Sequence, residues 1–274
     1  MRGGRRQPDG VEYSIIHNAL AADQTMPTGV PVAIANPKAY NTDHKVTIYP
    51  KTVARTITGS YSGTGGMLVA QNIKNLTIDG RVNKTGNEIG LTIKNTSIVG
   101  DSRHLLLFGN ESDDNALQNI NVKYVHFEGA TPTVPGFSIF IYGEGNDSIN
   151  ISNNKVTGMG TALYSSGSTT DKYAAYNVKV NNNIFGDADT NKRFTSSPIE
   201  LRQIKGSEID KNIIMNAKKN GSTDGISLQY SSRRSYYHHR ATICNSRTLH
   251  RERSHNIRSQ SNRNNHRLPM AKTY

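Results

Sequence analysis

The chain has 274 residues, 33 Lys plus Arg against 21 Asp plus Glu, a net charge of +12, no Trp and a single cysteine, Cys244. One cysteine excludes an intrachain disulfide framework and any multi-cysteine zinc or iron–sulfur site, and no run of about 18 apolar residues exists to cross a membrane as a helix. Counting Gly and omitting Tyr, apolar residues make up roughly 38% of the chain, below the ≈ 45–50% of an average globular domain.

The charge sits at the two ends. Arg2, Arg5 and Arg6 open the chain, Arg233 to Tyr274 hold nine Arg, one Lys and one acid (Glu252), and the stretch between is neutral. A body without net charge lacks the electrostatic footprint of a nucleic-acid binder, so no specific nucleic-acid partner is expected. Met1-Arg-Gly-Gly-Arg-Arg-Gln-Pro8 begins positively but no apolar stretch follows, so it is not a secretory signal as it stands. The protein is then either cytoplasmic or one whose true N-terminus has been lost; the repeats described next favour the second. Residues 1–9 are expected to be disordered. From Ser14 to Ala22, Ile15, Ile16, Ala19 and Leu20 share one helical face, which predicts a short helix capping the open end of a stack.

Short alternating segments follow at Val30–Ile34, Lys45–Tyr49, Thr56–Thr58, Met67–Ala70 and Leu76–Ile78, separated by Gly, Pro or Asn, and read as two or three short coils. Regularity then sets in. Leu91-Thr-Ile93, Ile120-Asn-Val122, Ile149-Asn-Ile151, Val178-Lys-Val180 and Ser207-Glu-Ile209 begin 29 residues apart, and Ile98, Phe127, Val156, Phe185 and Ile214 repeat at the same interval. Gly100, Gly129 and Gly158 form a third column, with Gly186 one position early. Each unit has a second strand, at His104–Phe108, Ser138–Tyr142, Ala162–Tyr164, Ile199–Arg202 and Ile226–Gln229, reached through loops of varying length. Period-2 alternation inside each unit and a fixed period between units predict a stack of β coils. Asn154, Asn183 and Asn212, again 29 apart, are expected to stack as a structural asparagine ladder at a turn.

After Ser232 alternation stops and Arg, His, Ser and Asn take over. Residues 233–274 are expected to be disordered or out of frame with the fold, since so polar a segment buries too little apolar area to offset its chain entropy. The domain boundaries are therefore 1–9, 10–232 and 233–274.

Lys45-Val-Thr-Ile-Tyr-Pro-Lys51, Leu76-Thr-Ile-Asp-Gly-Arg-Val82 and Leu91-Thr-Ile-Lys-Asn-Thr96 resemble the right-handed parallel β-helix repeat proteins of bacterial, Bacteroidetes-type secreted and cell-surface origin, which share the pectate lyase fold. The resemblance covers roughly residues 10–232. It implies an all-β right-handed parallel β-helix solenoid of roughly seven to eight coils, with extracellular or outer-surface localisation. Members of that family begin with a signal peptide and often end in a sorting domain, so the resemblance also marks this chain as a fragment.

Most members of the family have no demonstrated activity, and the leading expectation is a non-catalytic scaffold that binds glycans or adheres to surfaces. The alternative is a carbohydrate-active enzyme, a polysaccharide lyase using Ca²⁺ or a glycoside hydrolase using paired carboxylates. Either enzyme needs acids converging from neighbouring rungs. In the 29-residue frame the outward rows Thr92, Asn121, Asn150, Lys179, Glu208 and Lys94, Lys123, Ser152, Asn181, Asp210 hold one acid each, so no cofactor is expected unless the enzyme alternative holds. Asp187-Ala-Asp189-Thr-Asn191 imitates the start of a calcium loop, but Lys192 and Pro198 stand where the pattern needs Gly and Glu, so a surface turn is the reading and no metal site is assigned. His104 and His126 are read as surface or turn residues, and the tail histidines match no metal spacing. One face stands out: with Ile139, Ile141, Leu163, Ile199 and Leu201 inward, Phe140, Tyr142, Tyr164, Glu200 and Arg202 point outward. Tyr142, Tyr164, Glu200 and Arg202 are the candidate glycan-binding set, two rings for stacking and a carboxylate and guanidinium for hydrogen bonds. The competing reading is an ordinary solvated sheet face. The sequence gives no oligomeric state.

Overall fold

The computed structural model describes residues 12–13, 19–34, 45–63, 65–97, 104–109, 116–130, 136–166, 173–189, 192, 194–215, 225–229 and 239–244. Their regular structure is strand apart from short 3-10 turns, the one at Val82–Lys84 among them, and every strand pairing is parallel. None of their helices is long and apolar enough to cross a membrane. The strands form an eight-stranded sheet and a 16-stranded sheet, in which sequential strands fall into separate rows that repeat along the chain. This is an all-β, parallel, solenoid-like architecture of the parallel β-helix kind.

Three faces result. The first runs from Glu12–Tyr13 through Val32–Ala33, Gly66–Gln71, His104–Gly109, Phe137–Ile141, Thr161–Ser165 and Ile199–Arg202 to Ile226–Gln229. The second includes Val46–Pro50, Leu76–Asp79, Gln118–Lys123, Asp147–Ser152 and Lys179–Asn181; the third includes Arg55–Gly59, Leu91–Asn95, Val125–Glu128, Lys155–Thr157 and Ile184–Phe185. The long strand Glu208–Met215 continues both rows and joins them into one sheet. Inward side chains from all three faces meet in one core, among them Leu106, Phe108, Ile139, Val122, Ile151, Phe127 and Phe185, each at most 1% exposed. Burial of each such side chain contributes about 1.5–3 kcal/mol, which is what makes the alternating pattern hold its register.

The 29-residue frame is real from Ile120 onward: Ile120 pairs with Ile149, Ile151 with Val180 and Val180 with Ile209. Its first member does not belong. Leu91 and Ile93 lie against Val125 and Phe127 on the third face, whereas Val122 lies against Ile78 on the second. The rows there are offset by 34 and 44 positions, because the earlier coils carry longer turns, including the 3-10 turn at Val82–Lys84. Equal spacing of Leu91 and Ile120 is a coincidence of two different loop lengths.

One further expectation changes. Ala19–Leu20, placed in the capping helix, is a strand paired with Tyr49–Pro50; Leu20 is 4% exposed, and completing a rung outweighs a weak local helical face. The remainder of that helix, residues 14–18, lies outside the described residues, as do residues 1–9. In the tail, His239–Cys244 pairs in parallel with Ile209–Met215, with an irregularity between Asp210 and Asn212. The backbone N–H and C=O groups along the edge of Ile209–Met215 accept any strand irrespective of its side chains, so a polar segment can extend the sheet. The rest of 233–274 lies outside the described residues.

Corners repeat as faithfully as strands. Tyr124, Asn153, Asn182 and Lys211 have φ of 56°, 57°, 57° and 54°, one left-handed residue on each of four successive coils. Asn tolerates that conformation better than other residues with a Cβ, which accounts for part of the asparagine content of the chain.

Candidate functional site

The outward side of the first face carries the candidate strip. Leu107, Phe140, Tyr164, Glu200 and Ser227 lie in one row across successive strands. Tyr142 and Arg202 sit two residues further along their chains, and all of Phe140, Tyr142, Tyr164, Glu200 and Arg202 are half-buried. The strip continues into two side chains that alternation did not single out. Phe137 stacks on His104 at 4.8 Å and 0° on one side, and on Tyr164 at 4.2 Å and 7° on the other. Phe140 meets His104, Phe137 and Tyr164 edge-on or tilted at 4.9, 5.3 and 5.4 Å, and Tyr142 is 5.7 Å from Phe140.

The next strand supplies the charges. Arg202 donates from Nε and Nη2 to Glu200 Oε1 at 3.1 and 2.7 Å, and its guanidinium lies 5.2 Å from the centre of the Tyr164 ring. Phe137 belongs to the strand before Tyr164 and Arg202 to the strand after it, so the Tyr164 ring is held between an aromatic ring and a guanidinium. Burial raises the Tyr164 hydroxyl above its usual pKa, with Arg202 opposing and Glu200 reinforcing that shift. At Tyr142 the arrangement differs. A Cβ on Gly109 would lie 1.9 Å from the Tyr142 ring, so the ring occupies the space a Gly109 side chain would need. Tyr142 OH accepts a hydrogen bond from Gln71 Nε2 at 2.7 Å.

His104, read as a surface residue, is 4% exposed. Its Nδ1 accepts from Phe137 N at 3.2 Å, and burial pushes its pKa down to about 4, so the neutral ring is the form that stacks. The signal for His104 and Phe137 was present in the register, since both stand at the start of their strands, but only the correct coil frame brings them together.

The asparagine ladder lies at the corner between the second and third faces. Asn154 Nδ2 donates to Asn183 Oδ1 at 3.0 Å and to Val122 O at 2.9 Å; Asn183 Nδ2 donates to Asn212 Oδ1 and to Ile151 O, both at 2.9 Å. The backbone N–H groups of Asn154 and Asn183 donate to the same Oδ1 atoms at 2.9 and 3.0 Å. All three side chains are at most 1% exposed and serve the backbone of the coil.

Several carboxylates elsewhere are matched by cations. Asp79, 3% exposed, accepts from Arg81 Nε and Nη2 at 2.9 and 2.7 Å and lies 3.3 Å from Lys123 Nζ. Burial raises its pKa, but the bonds from Arg81 and the Lys123 charge outweigh burial and leave it below the usual carboxylate value. The Thr-Ile-Asp-Gly-Arg phrase is thus a structural device: Asp79 ties down Arg81, and a Cβ on the intervening Gly80 would stand 1.8 Å from Tyr124 O. On the third face Glu128 meets Lys94 at 3.2 Å and Lys192 at 3.5 Å, and Asp187 meets Lys155 at 2.9 Å. His126 Nε2 is 2.9 Å from Thr157 Oγ1, and burial lowers its pKa, with Glu128 opposing and Lys155 and Lys192 adding to the shift. In the Asp187 loop Asp189 N donates to Asp187 Oδ1 at 3.1 Å, a local turn, and the Lys155 ammonium takes the other oxygen. Among the described residues no three His, Cys, Asp or Glu side chains converge as metal ligands.

No protein-family model matches the sequence, and comparison with curated proteins and with solved structures finds no similar chain.

Proposed function

We propose that residues of about 10–232 form one right-handed parallel β-helix domain of seven to eight coils, exported to the cell surface, which serves as a non-catalytic scaffold and binds glycans on its first face. Right-handedness rests on the general handedness of parallel crossovers, which is right-handed in ≈ 98% of cases. The coil number rests on the eight strands of the first face. Export rests on the family resemblance. The observation that carries the binding reading is the cluster of Phe137, Phe140, Tyr142 and Tyr164 beside the Glu200–Arg202 pair, an apolar ring surface with polar groups at its margin. Rings and charge-assisted hydrogen bonds over two or three rungs, each about 4.8 Å, suit weak binding of about two sugar units. Ion pairing of Asp79, Glu128, Asp187 and Glu200 supports the non-catalytic side of the reading, since an acid or base catalyst needs a carboxylate free to exchange protons.

A panel of polysaccharides scored for both binding and cleavage tests this, with Ca²⁺ present and absent. Binding at roughly millimolar to micromolar Kd, lost in Tyr142→Ala/Tyr164→Ala, is the expected result. Release of new chain ends at a catalytic rate would replace the scaffold reading with the lyase or hydrolase. Because Tyr164 stacks on Phe137, the double variant is also expected to lose about 0.5–1.5 kcal/mol of stability, so binding is measured well below its melting temperature.

A further inference from the structure

The geometry points to Tyr142, laid against Gly109 and bonded to Gln71, as the ring on which a neutral hexopyranose stacks, with the Tyr164–Arg202–Glu200 end of the strip acting as its support. This rests on the glycan-binding reading and narrows it in place and in ligand class.

A sugar stacks its C–H face on the face of an aromatic ring. The Tyr164 ring is unsuited to that, because Phe137 stacks at 4.2 Å from the preceding strand and Arg202 lies 5.2 Å away from the following one. Phe137 is similarly placed between His104 and Tyr164. Tyr142 ends this arrangement. Its ring fills the space beside the Gly109 backbone, so that side is packed, while the residue as a whole stays half-exposed. Its backbone is fixed at both ends, Tyr142 N donating to Phe108 O at 2.9 Å and Tyr142 O accepting from Asn146 Nδ2 at 2.9 Å. A ring so held loses little freedom on binding, which favours a weak ligand.

Among the described residues, the side chain bonded to the Tyr142 hydroxyl is the uncharged Gln71. Gln71 is exposed, donates Nε2 to the Tyr142 oxygen, and carries a carbonyl that accepts from a hydroxyl; the phenol hydrogen of Tyr142 is a donor. Glu200 and Arg202 neutralise each other at 2.7 Å two strands away. Among the described residues of the strip the one cation, Arg202, is already paired with Glu200, whereas a neutral pyranose finds a ring, an acceptor and a donor.

The test is titration calorimetry with neutral gluco- and manno-hexasaccharides as one set and a hexa-uronate and a sulfated hexasaccharide as the other. The expected result is binding of neutral probes only, weakened at least tenfold by Tyr142→Ala and by Gly109→Ala, several-fold by Gln71→Ala, and unchanged by Asn150→Ala on the second face. Gln71→Ala alters an exposed side chain and so reads the site without a folding effect. Neutral probes binding Tyr142→Ala and Gln71→Ala with unaltered affinity would overturn the assignment, as would binding confined to charged probes, while leaving glycan binding standing. Failure of every probe to bind the unaltered protein would remove the glycan reading itself.

Discussion

Asn183→Ala is the sharpest test of what holds the coils in register. The side chain accepts twice on Oδ1, from Asn154 N and Asn154 Nδ2, and donates twice from Nδ2, to Asn212 Oδ1 and Ile151 O, all between 2.9 and 3.0 Å. Truncation strands the Asn154 N–H outright, a buried donor costing about 1–3 kcal/mol. Ile151 O loses the bond from Asn183 Nδ2, Asn154 Nδ2 keeps Val122 O, and Asn212 Oδ1 keeps the backbone N–H of residue 183. At about 0.5–1.5 kcal/mol each, the sum is roughly 2.5–7.5 kcal/mol, a large part of the 5–15 kcal/mol that holds a typical domain together. At about 2–4 °C per kcal/mol in a chain of this size, melting should fall by roughly 5–30 °C. The control is Asn150→Ala, a half-buried asparagine whose one bond, to Asn121 Oδ1, is 3.4 Å long; a change within about 0.5 kcal/mol is expected. Urea and thermal unfolding followed by circular dichroism compare the pair. Losses within 1 kcal/mol of each other, a margin of about one ordinary hydrogen bond, would show that the ladder is no more than an ordinary turn.

Three other outcomes follow from the packing. Ile151→Asp, at 1% exposure between Val122 and Val180, should cost several kcal/mol, whereas Asn150→Asp beside it should be mild; equal effects on the urea midpoint would mean the strand faces the other way. Gly80→Ala drives a Cβ to within 1.8 Å of Tyr124 O, a backbone atom that cannot step aside, and should lower the melting temperature more than Gly86→Ala, whose Cβ meets nothing but whose φ is +73°. His104 has its pKa lowered by burial from 6.5 to about 4, so between those values the unfolded chain binds a proton that the folded state refuses. Its stabilising contribution is complete above about pH 6.5 and is lost as pH falls towards 4, about 3 kcal/mol in all; His104→Gln, which keeps an acceptor for Phe137 N, should flatten that part of the stability profile.

Much of the coil was legible because its physics is local. Ile149-Asn-Ile151 and Val178-Lys-Val180 show their facing by alternation alone, and the burial of Ile151 and Val180 at 1% and 0% needs nothing from elsewhere in the chain. Asn154, Asn183 and Asn212 share one spacing for the same reason: each sits one residue after a left-handed corner, and the corner recurs every 29 residues once the loops stop varying. Leu91 shows where this logic ends. Its local pattern is that of Ile120, and only the length of the turn at Val82–Lys84 decides that its neighbour is Val125. Loop length enters the sequence as a number of residues, while register depends on the path those residues take. His239–Cys244 is the opposite case, a strand with little apolar signal that forms because an edge offers it backbone partners.

The candidate site combines both situations. That Phe140, Tyr142, Tyr164, Glu200 and Arg202 share the outward side follows from alternation within each strand. What each ring does follows from its neighbours one coil away, which the repeat spacing of the second strands leaves open. Phe137 lies between His104 and Tyr164 although its register partner on the next strand is Thr161, so its ring reaches across to a residue three positions further on, and that stack covers one face of the Tyr164 ring. Gly109 reads in the sequence as a strand end; in the fold it is the position that lets Tyr142 lie against the sheet, and any larger residue there would lift the ring. On the proposed reading, binding depends on pairs one and two coils apart, Gly109 with Tyr142 and Gln71 with Tyr142. Those are the pairs in which substitution of the small or exposed partner should alter binding while leaving the tyrosine itself in place.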